Sequence, residues 1–302
     1  MELTKRKATR IRRSRGDLLF DIVIYAVCVI LLLIVLYPMY FVIIASVSDP
    51  NAVNLGEVDF FPIGLNMKGY ETLLQYEDLW IGYRNTIFYA AMGTLFSLVV
   101  NLTAGYALTR KDMFGHKLIN VFFFIPMFFG GGLIPSYLNI RNLGLYDTVW
   151  AIILPGAVSI YYVIVARTFF QTSIPADLWE AAQIDGLGSV GYFVRIVLPL
   201  SKAIIAVIGL WNAVAHWNSY FSAMIYLRDD NLQPLQLVIR SILINSQTAS
   251  TMLTGTAANE AREMAELIKY SVIVISSLPV MCIYPFVQKH FVKGVMIGSI
   301  KG

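Results

Sequence analysis

Two stretches of this 302-residue chain hold the residues whose types and spacing could do chemistry. The first is "EAAQIDGLGSVGYFVRIVLP", residues 180 to 199, where Glu180, Ala181, Ala182, Asp185 and Gly186 precede Gly188, Gly191 and Pro199. The second is "GLWNAVAHWNSYFSAMIY", which carries Trp211, Asn212, His216, Asn218 and Tyr220 in an apolar setting. On a helix, Asn212, His216 and Tyr220 follow one another at intervals of four and form one stripe. No second histidine, cysteine or carboxylate stands at ligand spacing from His216, so neither a metal site nor a general base is expected there. The stripe offers hydrogen bonds and aromatic faces, either to a cargo or to neighbouring helices. A third stretch, "GGG" at residues 130 to 132, lacks the Lys-Ser/Thr of a phosphate loop and reads as a broken helix or a close helix crossing. No Walker A segment occurs, so ATP hydrolysis would have to come from another chain.

The elements that must position these residues are membrane helices. The chain is 57% hydrophobic and 14% charged, with a mean hydropathy of +0.66, well above the apolar share of ordinary soluble domains. A bilayer core takes about 20 apolar residues in a helix. Six segments qualify: Leu18 to Ser46, Tyr83 to Leu108, Leu118 to Leu138, Thr148 to Phe170, Ile204 to Leu227 and Leu267 to Gln288. The first is too long for a signal peptide and reads as a retained span, kinked at Pro38. Cys28 and Cys282 fall inside apolar runs and are expected to be small buried hydrophobes. The division expected is a basic tail, residues 1–17, and one six-helix domain, residues 18–302, with no appended soluble domain. Asn85 and Asn101 are expected to serve structure.

Charge fixes the expected sidedness. Lys5, Arg6, Lys7, Arg10, Arg12, Arg13 and Arg15 crowd the start, and Arg110, Lys111, Lys117, Lys289, Lys293 and Lys301 fall in segments that would share its side. Opposite them, residues 47 to 82 hold Asp49, Glu57, Asp59, Glu71, Glu77 and Asp78 against Lys68. Both termini and the 171–200 segment are therefore placed in the cytoplasm. The segment from Arg228 to Glu266 becomes an external loop with a polar, flexible centre, "TASTMLTGTAANE". A tail this basic could bind nucleic acid, but ahead of a span it sets topology, so no nucleic-acid partner is expected.

Within 171–200, Ser173 is a candidate N-cap and Pro175 lies near the first turn. Asp177 and Glu180 suit the positive end of a helix. Gly186 would end that helix in the left-handed conformation, and a second helix over about Val190 to Val197 would follow before Pro199. Leu178, Trp179, Ala182, Ile184 and Leu187 cannot all be buried by so short a segment, which leaves some of them to face a partner groove. The alternative is an interfacial helix lying on headgroups.

The spacing Glu180-Ala181-Ala182, Gly186, Ile196-Val197-Leu198-Pro199 resembles the EAA loop of bacterial ABC importer permeases. Asp185-Gly186 and Phe193 are similar to the carbohydrate-importing branch. "HFVKGVMIGSIKG" and "WNSYFSAMIYL" resemble the second permease subunit of maltose-type importers. "FFGGGLIPSYLNIRNLGLYDT" looks like a group linked to complex or uronate-containing oligosaccharides. Leu187 and Ala203 depart from the family's common Ala and Pro.

The resemblance implies an all-α permease of six transmembrane helices in a bacterial plasma membrane. It implies a heterodimer with a second permease, two copies of an ABC ATPase that bind the ATP and Mg, and an extracytoplasmic sugar-binding protein that meets the segment after Leu227, including "PLQLVIRSIL". Glu180, Ala181, Ala182, Asp185 and Gly186 would then couple to the ATPase, and Trp211, Asn212, His216, Asn218 and Tyr220 would line a sugar path. No cofactor or metal is expected in this chain. The rival readings are a membrane-embedded enzyme acting on lipid-linked sugars, for which only scattered Asp21, His116, His216 and His290 are present, and an importer of amino acids or phosphate.

Overall fold

The computed structural model describes residues 15–252 and 255–299. The basic residues Lys5 to Arg13, together with Lys301 and Gly302, lie outside them. The chain falls into two compact units, Met1–Met67 and Lys68–Gly302, and the described residues form helices and turns without strands.

In the first unit, α1 (Arg15–Ser46) continues unbroken through Pro38, and its side chains are exposed over most of its length. A helix apolar on every face is built for lipid. A short α2 (Pro50–Asn54) follows, capped by Asp49, whose carboxylate accepts from the N–H groups of Asn51 at 2.9 Å and Ala52 at 3.4 Å. Ile44, Ala52 and Val58 form a small core beneath it.

The second unit is organised around α4 (Glu77–Ala107), preceded by α3 (Lys68–Gln75). After α4 come α5 (His116–Phe128), α6 (Leu133–Asn142), α7 (Trp150–Ala157), α8 (Ile160–Ser173) and α9 (Asp177–Ile184). The chain continues through α10 (Ser189–Tyr192), a π-helical turn (Phe193–Val197), α11 (Leu198–Leu200), α12 (Lys202–Trp217) and α13 (Phe221–Tyr226). It ends with α14 (Leu235–Met252) and α15 (Thr256–Ser299).

Among the described residues, three helices are long and apolar enough to cross a membrane: Gly16–Ser46, Glu77–Ala107 and Ala257–Cys282. Three bent pairs pass the same test, α5 with α6 at 114°, α7 with α8 at 44°, and Ser189–Leu200 with α12 at 81°, which brings the possible spans to six. The glycines at 130 to 132 lie in the sharpest of these breaks. A Cβ at any of them would meet nothing within 4 Å, so they break the helix and serve no close crossing.

The break between α7 and α8 is held by buried Asn101 of α4. Its Nδ2 donates to the carbonyl of Ala157 at 2.9 Å, and its Oδ1 accepts from the N–H of Ser159 at 2.9 Å. These two backbone groups belong to the ends of the broken helix and would otherwise lack partners. Asn85 ties the other half of α4 to the carbonyls of Asn231 and Gln233 at 2.7 and 3.0 Å. Both asparagines are thus structural, as expected.

The structure corrects four sequence expectations. The described residues of the 228–266 segment are mostly helical and do not form a loop. They hold α14 and the start of α15, whose Val238, Ile242, Ile268 and Val272 pack with Leu73 and Leu79. The fifth span stops at Trp217 instead of continuing to Leu227, because the chain turns at Asn218 and restarts as α13. Ser173 is the last residue of α8 and caps nothing. Cys28 and Cys282 are exposed, on helix surfaces that suit lipid.

Candidate functional site

The 177–200 segment folds as a helical hairpin. The C-terminus of α9 is closed by two backbone bonds, from the N–H of Leu187 to the carbonyl of Ala182 at 2.9 Å and from the N–H of Gly186 to that of Gln183 at 3.0 Å. This is the Schellman arrangement, which needs a left-handed residue. Gly186 supplies it with φ of +77°. The second arm continues past Val197 to Leu200, with Pro199 inside it, a correction to the expected end at Val197. Pro199 has no N–H to donate back into the π-helical turn that precedes it.

The hairpin seats one face and presents the other. Ala182, Tyr192, Phe193 and Val197 are buried with Phe170, Ile204 and Ile208. Glu180, Ala181, Asp185 and Gly186 are exposed, and beside them Ile184 and Val190 are 87% and 77% exposed. Of the five residues singled out here, the structure brings four to the surface and uses Ala182 as the seat.

The end of α4 grips both arms. Tyr106 stacks on Phe193 with ring centroids 4.8 Å apart, and its hydroxyl donates to the carbonyl of Ser189 at 3.3 Å. Arg110 lies over the Trp179 ring, 3.8 Å from its centroid, while it donates to both carboxylate oxygens of Asp112 at 3.0 and 2.8 Å. That hydrogen bonding holds the Asp112 carboxyl below its ordinary value. Trp179 in turn meets Tyr192 edge-on at 5.0 Å. Beside these contacts runs an open groove of about 810 Å³, walled by Arg110, Trp179, Glu180 and Gln183. Sequence reasoning read Arg110 only as a topology charge and missed Tyr106, since no sequence offset links position 110 to position 179.

The second cluster resolves differently. Asn212 and His216 share the buried face of α12 and line a cavity of about 320 Å³ against α7 and α8, together with Ser159, Tyr162, Ser219 and Ser222. Asn212 is 4% exposed, and its Oδ1 has no hydrogen-bond partner among the described residues. His216 fits only because Gly93 of α4 lacks a side chain: a Cβ there would stand 2.1 Å from Nε2. Trp211 lies 6.0 Å from Tyr162 in a stacked pair and 5.7 Å from Tyr161, which makes an aromatic slab beside the cavity.

Tyr220 does not extend the stripe, a correction that follows from the end of α12 at Trp217. It is exposed, with Arg240 5.7 Å above its ring. Asn218 caps the helix and donates from Nδ2 to the carbonyl of Val214 at 3.0 Å. Neither lines the cavity. Ser159, Tyr162, Ser219 and Ser222 were missed because a helix break and a helix end place them there. Among the described residues, no group of three or more His, Cys, Asp or Glu is placed to hold a metal ion.

Broken helical spans, a surface hairpin and a polar cavity are what the described residues of the second unit supply. Residues 97–297 match the family described as binding-protein-dependent transport system inner membrane component, and the chain belongs to it. It is 36% identical over 288 residues to the polygalacturonan/rhamnogalacturonan transport system permease protein YtcP of Bacillus subtilis (strain 168), covering 94% of this chain and 99% of that one. It is 27% identical over 300 residues to the maltodextrin transport system permease protein MdxG of the same organism, covering 96% and 99%. A crystal structure of a bacterial ABC transporter involved in the import of the acidic polysaccharide alginate contains a chain of similar fold. That chain gives a TM-score of 0.83 at 31% identity, over 93% of this chain and 100% of its own length. The protein is a transport component and not an enzyme.

Proposed function

We propose that this chain is one of two permease subunits of an ATP-driven importer of oligosaccharides in a bacterial plasma membrane, with both termini in the cytoplasm. The observation that carries the reading is the 177–200 hairpin, seated through Ala182 and Phe193 while Glu180, Ala181, Ile184 and Gly186 remain outward. An exposed acid beside exposed apolar side chains at a tight turn suits insertion into a groove of a separate ATPase. Two copies of that ATPase, one under each permease, would bind the ATP and Mg. The names of the relatives support a sugar cargo, delivered by an extracytoplasmic binding protein.

Sugars present hydroxyl edges and apolar C–H faces, and the cavity at Asn212 and His216 offers both kinds of partner. Tyr162 supplies an aromatic face in the cavity wall, and Asn212, His216 and the serines supply polar groups there. The test is purification in mild detergent from native membranes by a C-terminal tag. Recovery with an ATPase and a second permease is expected; reproducible recovery of this chain alone in a folded state would contradict the reading.

A further inference from the structure

The hairpin is useful to a transporter only if its movement reaches the cavity, and its covalent routes are poor levers. Towards α12 the chain passes an 81° break at Ser201, and towards α8 it passes the non-helical residues 174 to 176. The helix α4 is uninterrupted and holds no proline from Glu77 to Ala107, and Arg110 joins it through the short turn that follows. At one end Tyr106 and, just beyond it, Arg110 grip both arms of the hairpin through a ring stack, a hydrogen bond and a cation over Trp179. Thirteen residues back, or about 20 Å along a helix, Gly93 receives the ring of His216 at the cavity. Between them, Asn101 fixes the α7–α8 break. The helix α8 also runs from hairpin to cavity, but it meets the hairpin there through Phe170 packed edge-on to Phe193 at 6.5 Å, an apolar contact that can slide. The contacts of Tyr106 and Arg110 are directional and cannot slide without being broken.

We propose that Tyr106 and Arg110 are positioning residues that carry movement of the 177–200 hairpin into α4, and through α4 to the cavity of Asn212 and His216. This rests on the coupling role proposed above. Asp112 holds the guanidinium in place, and Trp179 is its target on the hairpin. Loss of the clamp therefore leaves an ATPase that still docks and hydrolyses while α4 follows it less faithfully.

The test uses the whole complex, purified with its partner chains and reconstituted in proteoliposomes. Uptake of oligosaccharides prepared from polygalacturonan, alginate and maltodextrin is measured together with ATP hydrolysis, for Arg110→Ala, Arg110→Lys, Trp179→Ala, Tyr106→Phe and the Arg110→Ala/Trp179→Ala double variant. Each alanine variant is expected to lower sugar moved per ATP by roughly two- to fivefold, the factor that corresponds to one partly exposed cation–π contact. The double variant should be no worse than the poorer single, since both remove one interaction. Arg110→Lys should recover much of the ratio, and Tyr106→Phe, which keeps the ring and loses only the hydroxyl, should lower it slightly. A ratio that stays constant while uptake and hydrolysis fall together overturns the proposal, as do multiplying effects in the double variant. A wild-type complex that hydrolyses ATP and moves none of these sugars overturns the coupling role as well.

Discussion

Replacing Gly93 with alanine tests the packing of α4 on α12 where it bears on the cavity. The added Cβ would stand 2.1 Å from Nε2, 2.6 Å from Cε1 and 2.7 Å from Cδ2 of His216, far inside any tolerated contact. On its other side the ring faces Gly156, where a Cβ would lie 3.6 Å from Cε1. The imidazole can therefore yield only by swinging into the 320 Å³ cavity that it lines. Overpacking of this kind costs about 1–3 kcal/mol, partly offset by up to about 1 kcal/mol from replacing a mid-helix glycine with alanine. The expected result is a modestly lowered melting temperature and a larger loss of sugar uptake, because the ring now occupies the cavity. Gly209→Ala on α12 is the control. Its Cβ would meet Leu98 and Thr94 at 3.7 and 3.8 Å, an ordinary contact, so it should be neutral or slightly stabilising. Truncating His216 to alanine in the Gly93→Ala background should restore the melting temperature. Scanning fluorimetry of the purified complex and uptake by proteoliposomes read both quantities. A Gly93→Ala protein as stable and as active as Gly209→Ala would refute the reasoning.

Three further outcomes are expected. Asn101→Ala strands the carbonyl of Ala157 and the N–H of Ser159 at the α7–α8 break, at about 1–3 kcal/mol for each buried group. It should lower the melting temperature more than Asn218→Ala, whose partner is a carbonyl at an exposed helix end. Asn212→Ala removes an acceptor that has no partner among the described residues, so it should leave stability unchanged or raised while uptake falls; unchanged uptake would make Asn212 a packing residue. The Asp147 carboxylate accepts from the N–H groups of Asp229 and Arg228 at 2.9 and 2.7 Å, which hold its pKa below the ordinary carboxylate value. Its contribution to stability should be full above pH of about 4 and be lost as pH falls through the lower folded pKa. Asp147→Asn should flatten the acid limb of a melting-temperature profile, and identical limbs would contradict this.

Much of this architecture is legible in the residues. Gly186 at the end of the Asp177–Asp185 pattern announces the hairpin, and the triple glycine ahead of Pro135 announces a broken helix. The family resemblance of the 180–199 spacing is carried by fixed offsets within one segment, which is why a single sequence suffices for it. What was not legible depends on chain ends and distant contacts. Apolar residues resume after the polar Asn218-Ser219 pair, so the segment reads as one span to Leu227, yet the chain turns at that pair and removes Tyr220 from the stripe of Asn212 and His216. The 235–252 region carries Ser, Thr and Asn and so reads as a loop, yet it is helical because Leu235, Val238 and Ile242 pack beside α3 and α15. Tyr106 and Arg110 look like a helix end and a topology charge until the fold brings Phe193 and Trp179 to them.

The central claim is that the 177–200 hairpin couples this chain to a separate ATPase. The most direct measurement is sugar-stimulated ATP hydrolysis and uptake, side by side, in proteoliposomes holding the complete complex with Glu180→Lys or Gly186→Trp in this chain. Both positions are exposed, and a side chain at Gly186 meets no neighbouring atom within 4 Å, so the fold should tolerate the changes apart from the strain of a left-handed tryptophan. The account predicts normal insertion and assembly, with hydrolysis no longer tied to uptake. Normal sugar-stimulated hydrolysis with normal uptake in both variants would contradict it.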